Sequence, residues 1–147
     1  MLRELLVALL LMASNVAIQG LGTFALMQWG LRLLKDTRFL GVTGGLGTMI
    51  RFFAVLPILH FLEAAVWGEF YFMQHCFPDR ETAYYFSLKS YTTAGYGDVV
   101  ISQPWRLMGS LEAMGGVLLF GWSTAILVGF LSRIRDAKER RVRTNSD

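Results

Sequence analysis

The sequence predicts an all-α membrane protein with three transmembrane helices and a fourth, shorter helix that re-enters the membrane between the second and third. Three observations lead there. Of 147 residues, 54% are hydrophobic and only 17% are charged, where a soluble domain carries about a quarter charged residues. Three apolar stretches, residues 5–31, 52–77 and 107–131, each exceed the roughly 20 residues that a helix needs to cross a hydrocarbon core about 30 Å thick. The connection between the last two has an apolar, aromatic middle, residues 83–93, which suits neither a full span nor a solvated loop.

The first element, residues 1–31, begins with Arg3 ahead of its apolar run, which a cleaved signal peptide would also show. A signal core runs roughly 7–15 residues to a small-residue cleavage site. This run continues uncharged through Trp29 with no clear Ala-x-Ala, and a retained helix is expected. Residues 32–51 read as a basic loop, with Arg32, Lys35, Arg38 and Arg51 against Asp36 alone. Residues 52–77 form the second span. His60, Glu63 and Glu69 lie inside it, and because such groups are costly in lipid they must face protein or water.

Residues 78–106 make the long connection. Pro78 and Asp79 mark a helix start, Glu81 suits the first turn, and residues 83–89 hold no Gly or Pro. A helix of about twelve residues rises roughly 18 Å, too little to cross, so it enters and returns. Residues 107–131 form the third span, and residues 132–147 a tail in which Arg133, Arg135, Lys138, Arg140, Arg141 and Arg143 outnumber Asp136, Glu139 and Asp147. Basic residues in short segments mark the cytoplasmic side. Loop 32–51 and the C-terminus are therefore expected inside and the N-terminus outside, in the cell membrane.

The re-entrant segment ends in Ser90-Tyr91-Thr92-Thr93-Ala94-Gly95-Tyr96-Gly97-Asp98. Thr-x-Gly-Tyr-Gly-Asp, after a short aromatic helix and before a spanning helix, resembles the signature of the potassium-channel family over residues 52–134. The resemblance implies that residues 52–77 are the outer helix of a two-helix pore module. It makes the short helix a pore helix, residues 93–97 a selectivity filter and residues 107–131 the pore-lining inner helix. It further implies that the carbonyls of Thr93, Ala94, Gly95 and Tyr96 coordinate K+, with the Thr93 hydroxyl as the innermost ligand. Backbone carbonyls can replace the hydration shell of K+ without adding charge. Aiming successive carbonyls alike requires alternating backbone handedness, which Gly95 and Gly97 adopt without a Cβ penalty. One chain supplies one filter strand, and a homotetramer in cyclic symmetry is expected. Ala94 departs from the Val or Ile usual there.

Around the filter, Lys89, Asp98, Glu112, Tyr85 and Phe86 are candidate supports. Tyr96 is expected to pack on Tyr84, Tyr85 and Phe86, and Lys89 to face Asp98, Glu112 or Glu69, since unpaired burial is expensive. Gly115 and Gly116 form a candidate inner-helix hinge, with close helix packing through small residues an equal alternative. Ser123 and Thr124 are candidate cavity-lining residues. His60 and His75 are too isolated to suggest a metal site, and Cys76 reads as a small buried residue. No nucleophile–base pair appears, no enzyme activity is expected, and no cofactor or nucleic-acid partner is expected beyond permeant K+ and the lipid bilayer. The function predicted is passive, selective K+ conduction. A cation pore without potassium preference, which Ala94 keeps open, and a non-conducting subunit with the same fold are the alternatives.

Overall fold

The computed structural model describes residues 2–35 and 42–144. Asp36, Arg38 and Asp147, which enter the charge balance above, lie outside them. The described residues form four helices: α1 Leu2–Lys35, α2 Val42–Met73, α3 Arg80–Tyr91 and α4 Met108–Thr144. Three are long and apolar enough to cross a membrane, over Leu2–Arg32, Met49–Met73 and Met108–Ala137. Large apolar side chains such as Leu9, Phe24, Phe53, Phe61, Leu118 and Val128 stand exposed on all three, as suits helices surrounded by lipid or by other membrane segments. The protein is an all-helical, multi-pass membrane protein.

Besides a longer α1, through Lys35, and an earlier end of α2, at Met73 rather than residue 77, two helix extensions depart from the sequence reading. Residues 42–51, expected in a loop, are the first turns of α2, and residues 132–144, expected as a tail, continue α4. Gly44, Gly45 and Gly47 and the basic residues disguise both extensions, because glycine and charge lower a helix's apolar signal without breaking its hydrogen bonds.

α1 packs along both α2 and α4, while α3 lies between α2 and α4. At one end an aromatic cluster joins Trp67, Tyr71, Phe77, Phe86, Trp105 and Met108, with Ala8 of α1 against it. Tyr71 meets Phe86 edge-on with centroids 5.1 Å apart, a favoured arrangement for rings that carry opposed edge and face charge. At the other end Leu26, Phe52, Leu56, Leu59, Phe130 and Ile134 tie α1, α2 and α4 together. A Cβ on Gly30 would overlap the Phe130 and Phe52 rings, and one on Gly22 the Leu59 side chain. Small residues bring α1 close enough for dispersion contacts, which hold helices together in lipid.

α2 stops where His75 turns left-handed at φ 53°. The N–H of Cys76 then donates to the Tyr71 carbonyl and that of His75 to the Phe72 carbonyl, each at 3.0 Å, the paired bonds that close a helix C-terminus. α3 starts at once: Asp79, in extended backbone, accepts from the Thr82 N–H at 2.8 Å. The cap and the twelve-residue length of α3 agree with the reading from Pro78, Asp79 and Glu81.

Candidate functional site: the filter strand and its supports

α3 ends at Tyr91, and Thr92 caps it by donating its N–H to the Leu88 carbonyl at 3.0 Å. The strand that follows has positive φ at every second residue: 60° at Thr93, 50° at Gly95 and 78° at Gly97. Glycine takes this conformation freely, whereas a β-branched residue does so only when its surroundings hold it. Two bonds from the end of α3 do so, since Thr93 N–H donates to the Ser90 carbonyl (3.0 Å) and Gly95 N–H to the Lys89 carbonyl (3.3 Å). Residues 92–98 are exposed on the single chain. A groove of about 610 Å³ opens beside them, between Lys89, Ser90, Gly95 and Gly97 and the start of α4 at Gly109 and Ser110.

Side chains on α3 divide by helical phase. Lys89 is buried, and its ammonium pairs with Asp98 just past the filter. It also lies over the Tyr85 ring at 4.4 Å and the Tyr96 ring at 5.5 Å, where ring faces attract a cation. The Tyr85 hydroxyl donates to the other Asp98 oxygen at 2.8 Å. Tyr85, Lys89 and Asp98 thus form one unit just past Gly97.

Glu112 and Glu69, also expected near Lys89, pair elsewhere. Ser87, two residues before Lys89, is rotated about 200° around the helix axis. Its hydroxyl reaches the Ala64 carbonyl oxygen at 2.6 Å and the Glu112 carboxyl, while the Tyr71 hydroxyl donates to Glu112 at 2.8 Å. Glu69 accepts from Arg80 at 2.9 Å and from the Tyr84 hydroxyl at 3.0 Å, because the C-terminal end of α2 meets the start of α3 rather than its end. Phe86 points rearward into the aromatic cluster. Tyr96 is 76% exposed, and none of Tyr84, Tyr85 or Phe86 stacks on it within the same chain.

Behind Tyr91, His60, Glu63 and Ser123 are buried together, and His60 and Glu63 face protein as their cost in lipid requires. The Ser123 oxygen bonds His60 and Gln19, as the crossing of α4 with α1 and α2 dictates, and Ser123 and Thr124 both border a cavity of about 230 Å³ beside His60 and Phe120. Thr124 is exposed and donates to the Phe120 carbonyl at 2.9 Å. The polar triplet Asn15, Gln19 and Thr23, spaced by four along an apolar helix, was the available signal that α1 docks by a polar face. α4 runs unbroken through Gly115 and Gly116, and a Cβ on Gly116 would overlap the Tyr91 carbonyl oxygen. That glycine lets α4 touch the end of α3, where the strand of residues 92–98 begins. Among the described residues no group of His, Cys, Asp and Glu could hold a metal ion.

None of the curated proteins and none of the solved structures matches the chain. The sequence model of one family, described as ion channel, matches residues 58–133, which run from α2 through α3 and the filter strand into α4. With just over half of the 147 residues matched, over the two spans and the re-entrant helix between them, the chain belongs to the ion channel family and is not an enzyme.

Proposed function

We propose that the chain conducts K+ selectively and passively across the cell membrane as a homotetramer. The carbonyls of Thr93, Ala94, Gly95 and Tyr96, with the Thr93 hydroxyl, form the ion's ligand shell. The observation that carries this reading is the alternation of positive φ at Thr93, Gly95 and Gly97, the backbone pattern that aims successive carbonyls to one side. A single strand cannot surround an ion, and its exposure beside an open groove supports packing against further copies of itself. Four α3 C-termini would then turn their partial negative charge toward the centre and favour a cation there. The basic segments favour a cytoplasmic C-terminus and an external N-terminus. Bending of α4 at Gly115 and Gly116 would open the inner end, and it would also part Gly116 from Tyr91.

The test is ion flux in liposomes holding the purified protein, with K+ compared against Na+ and the oligomer sized by mass in detergent. The expected result is a tetramer whose K+ flux far exceeds its Na+ flux. Equal fluxes would favour the unselective pore that Ala94 allows, no flux the non-conducting subunit, and a selective monomer or dimer would defeat the assembly.

A further inference from the structure

A buried chain of polar groups begins on α1, outside the residues that the family shares, and ends at the filter's root. The Gln19 side chain, fully buried, donates from Nε2 to Ser123 Oγ of α4 at 2.5 Å. Ser123 Oγ lies 2.9 Å from His60 Nε2 of α2. His60 Nδ1 lies 3.0 Å from Glu63 Oε2 and 2.8 Å from the Tyr91 hydroxyl, which itself donates to Glu63. A carboxamide nitrogen donates, and a serine oxygen can take two such bonds or pass its own proton on, so Ser123 joins Gln19 to the His60 ring in either ring tautomer.

Four helices meet in this chain although apolar contacts alone could dock α1. Burying Gln19, His60 and Glu63 in a membrane is costly, and such groups are kept where they have a task. The task nearest to hand is Tyr91. It is the last residue of α3, two positions before Thr93, whose left-handed, β-branched backbone persists only where its surroundings hold it. We propose that Gln19 and His60 are positioning residues for ion conduction: through Ser123 and Glu63 they fix the Tyr91 hydroxyl, so that the N-terminal helix holds the innermost filter residue in its conducting conformation. This rests on the channel reading above. α1 is then part of the pore's working structure and more than an anchor.

Single-channel recording tests it, using Gln19→Leu alone and in a Tyr91→Phe background. Leucine keeps Gln19's bulk and suits lipid, so the oligomer should persist at the wild-type melting temperature. Conducting dwell times should shorten about two- to ten-fold, the change in equilibrium that one hydrogen bond carries, and Gln19→Leu should add nothing once Tyr91→Phe has removed the chain's end. His60→Gln, which can still donate and accept, should keep longer dwell times than His60→Leu. Wild-type dwell times in Gln19→Leu, or the same shortening with Phe at position 91, would overturn the proposal. Should Gln19→Leu fail to assemble, Ser123→Ala, which removes one oxygen from the middle of the chain, decides by the same criteria. A wild-type protein that passes no K+ overturns the channel reading as well, whereas a conducting wild type with an indifferent Gln19→Leu overturns this inference alone.

Discussion

Ser87 and Lys89 stand two residues apart on α3, yet they belong to surroundings built in opposite ways. Ser87 is sealed at the rear among Ala64, Tyr71 and Glu112, and Tyr91 on the same side is sealed among Glu63, His60 and Leu119. Each of those hydroxyls finds its partner within one chain. Lys89 borders the front, where the filter strand and Tyr96 lie open and Asp98 is half exposed. The difference separates two jobs. One chain suffices to set the position of α3, while an ion pathway of the proposed kind would take its width from neighbouring copies.

The sharpest way to break that division is Gly97→Ala. A Cβ there meets nothing within 4 Å, so the obstacle is the backbone, held at φ 78°. Left-handed backbone costs an ordinary residue about 1–2 kcal/mol, and the proposed ring would carry that strain in each strand. K+ flux in liposomes should be lost while the detergent-solubilised protein melts near the wild-type temperature. Melting lowered as much as by a rear-face substitution would show that front and rear are not independent.

Glu112→Leu should do the converse. It takes the acceptor from the buried Tyr71 hydroxyl, at roughly 1–3 kcal/mol for the group left unsatisfied, and leaves Ser87 with the Ala64 carbonyl alone. Thermal melting should fall by several degrees or more, and Glu112→Gln, which still accepts, should fall less. A leucine variant as stable as the wild type would mean that the rear is held by apolar packing alone.

Lys89→Met falls between the faces. Asp98 would keep the Tyr85 hydroxyl and contact with solvent, so the loss of stability should be on the order of 1 kcal/mol or less, as for partly exposed ion pairs. If residues 93–97 form the proposed filter, conduction should nevertheless run down with time, because Asp98 at its end loses its tie to α3. Steady conduction that rises slightly at low salt would instead mark Lys89 as a cation that only repels incoming ions.

These contrasts explain what could be read before folding was known. Three spans were legible because length and hydropathy decide them, and α3 was legible because Pro78 and Asp79 mark its start. Left-handed backbone was readable at Gly95 and Gly97 but not at Thr93, since a β-branched residue disfavours it and only the bonds to Ser90 and Lys89 hold it there. The Lys89–Asp98 pair lies nine residues apart in sequence and was anticipated. The partners of Glu112 are not legible in this way: depth in the membrane alone would bring Glu112 to Lys89, whereas helical phase turns Ser87 and not Lys89 toward Glu112 of α4. The Ser123 bonds to α1 and α2 depend on how three helices cross, and no local pattern encodes that.

The smallest expected effect lies at Asp79, where α3 begins on the exposed side. The Thr82 N–H, and after it the Thr82 hydroxyl, donate to the Asp79 carboxylate and hold its pKa below the ordinary value of 3.8. A carboxylate depressed in the folded state adds stability that is complete above its unfolded pKa and is lost as pH falls through the lower, folded one. Asp79→Ala should therefore lower the melting temperature slightly and by a constant amount from neutral pH down to about pH 4. Below that the gap should close, because the wild-type cap is then protonated too. Asp79→Asn keeps an uncharged acceptor for the Thr82 N–H, so it should melt near the wild type at neutral pH and show no such closing. A gap that stays constant down to the most acidic pH the oligomer survives would mean that Asp79 acts through helix geometry alone, without its charge. A gap in flux rather than in melting would tie the start of α3 to the filter strand and blur the division between a helix fixed by its own chain and a pathway shaped by the assembly.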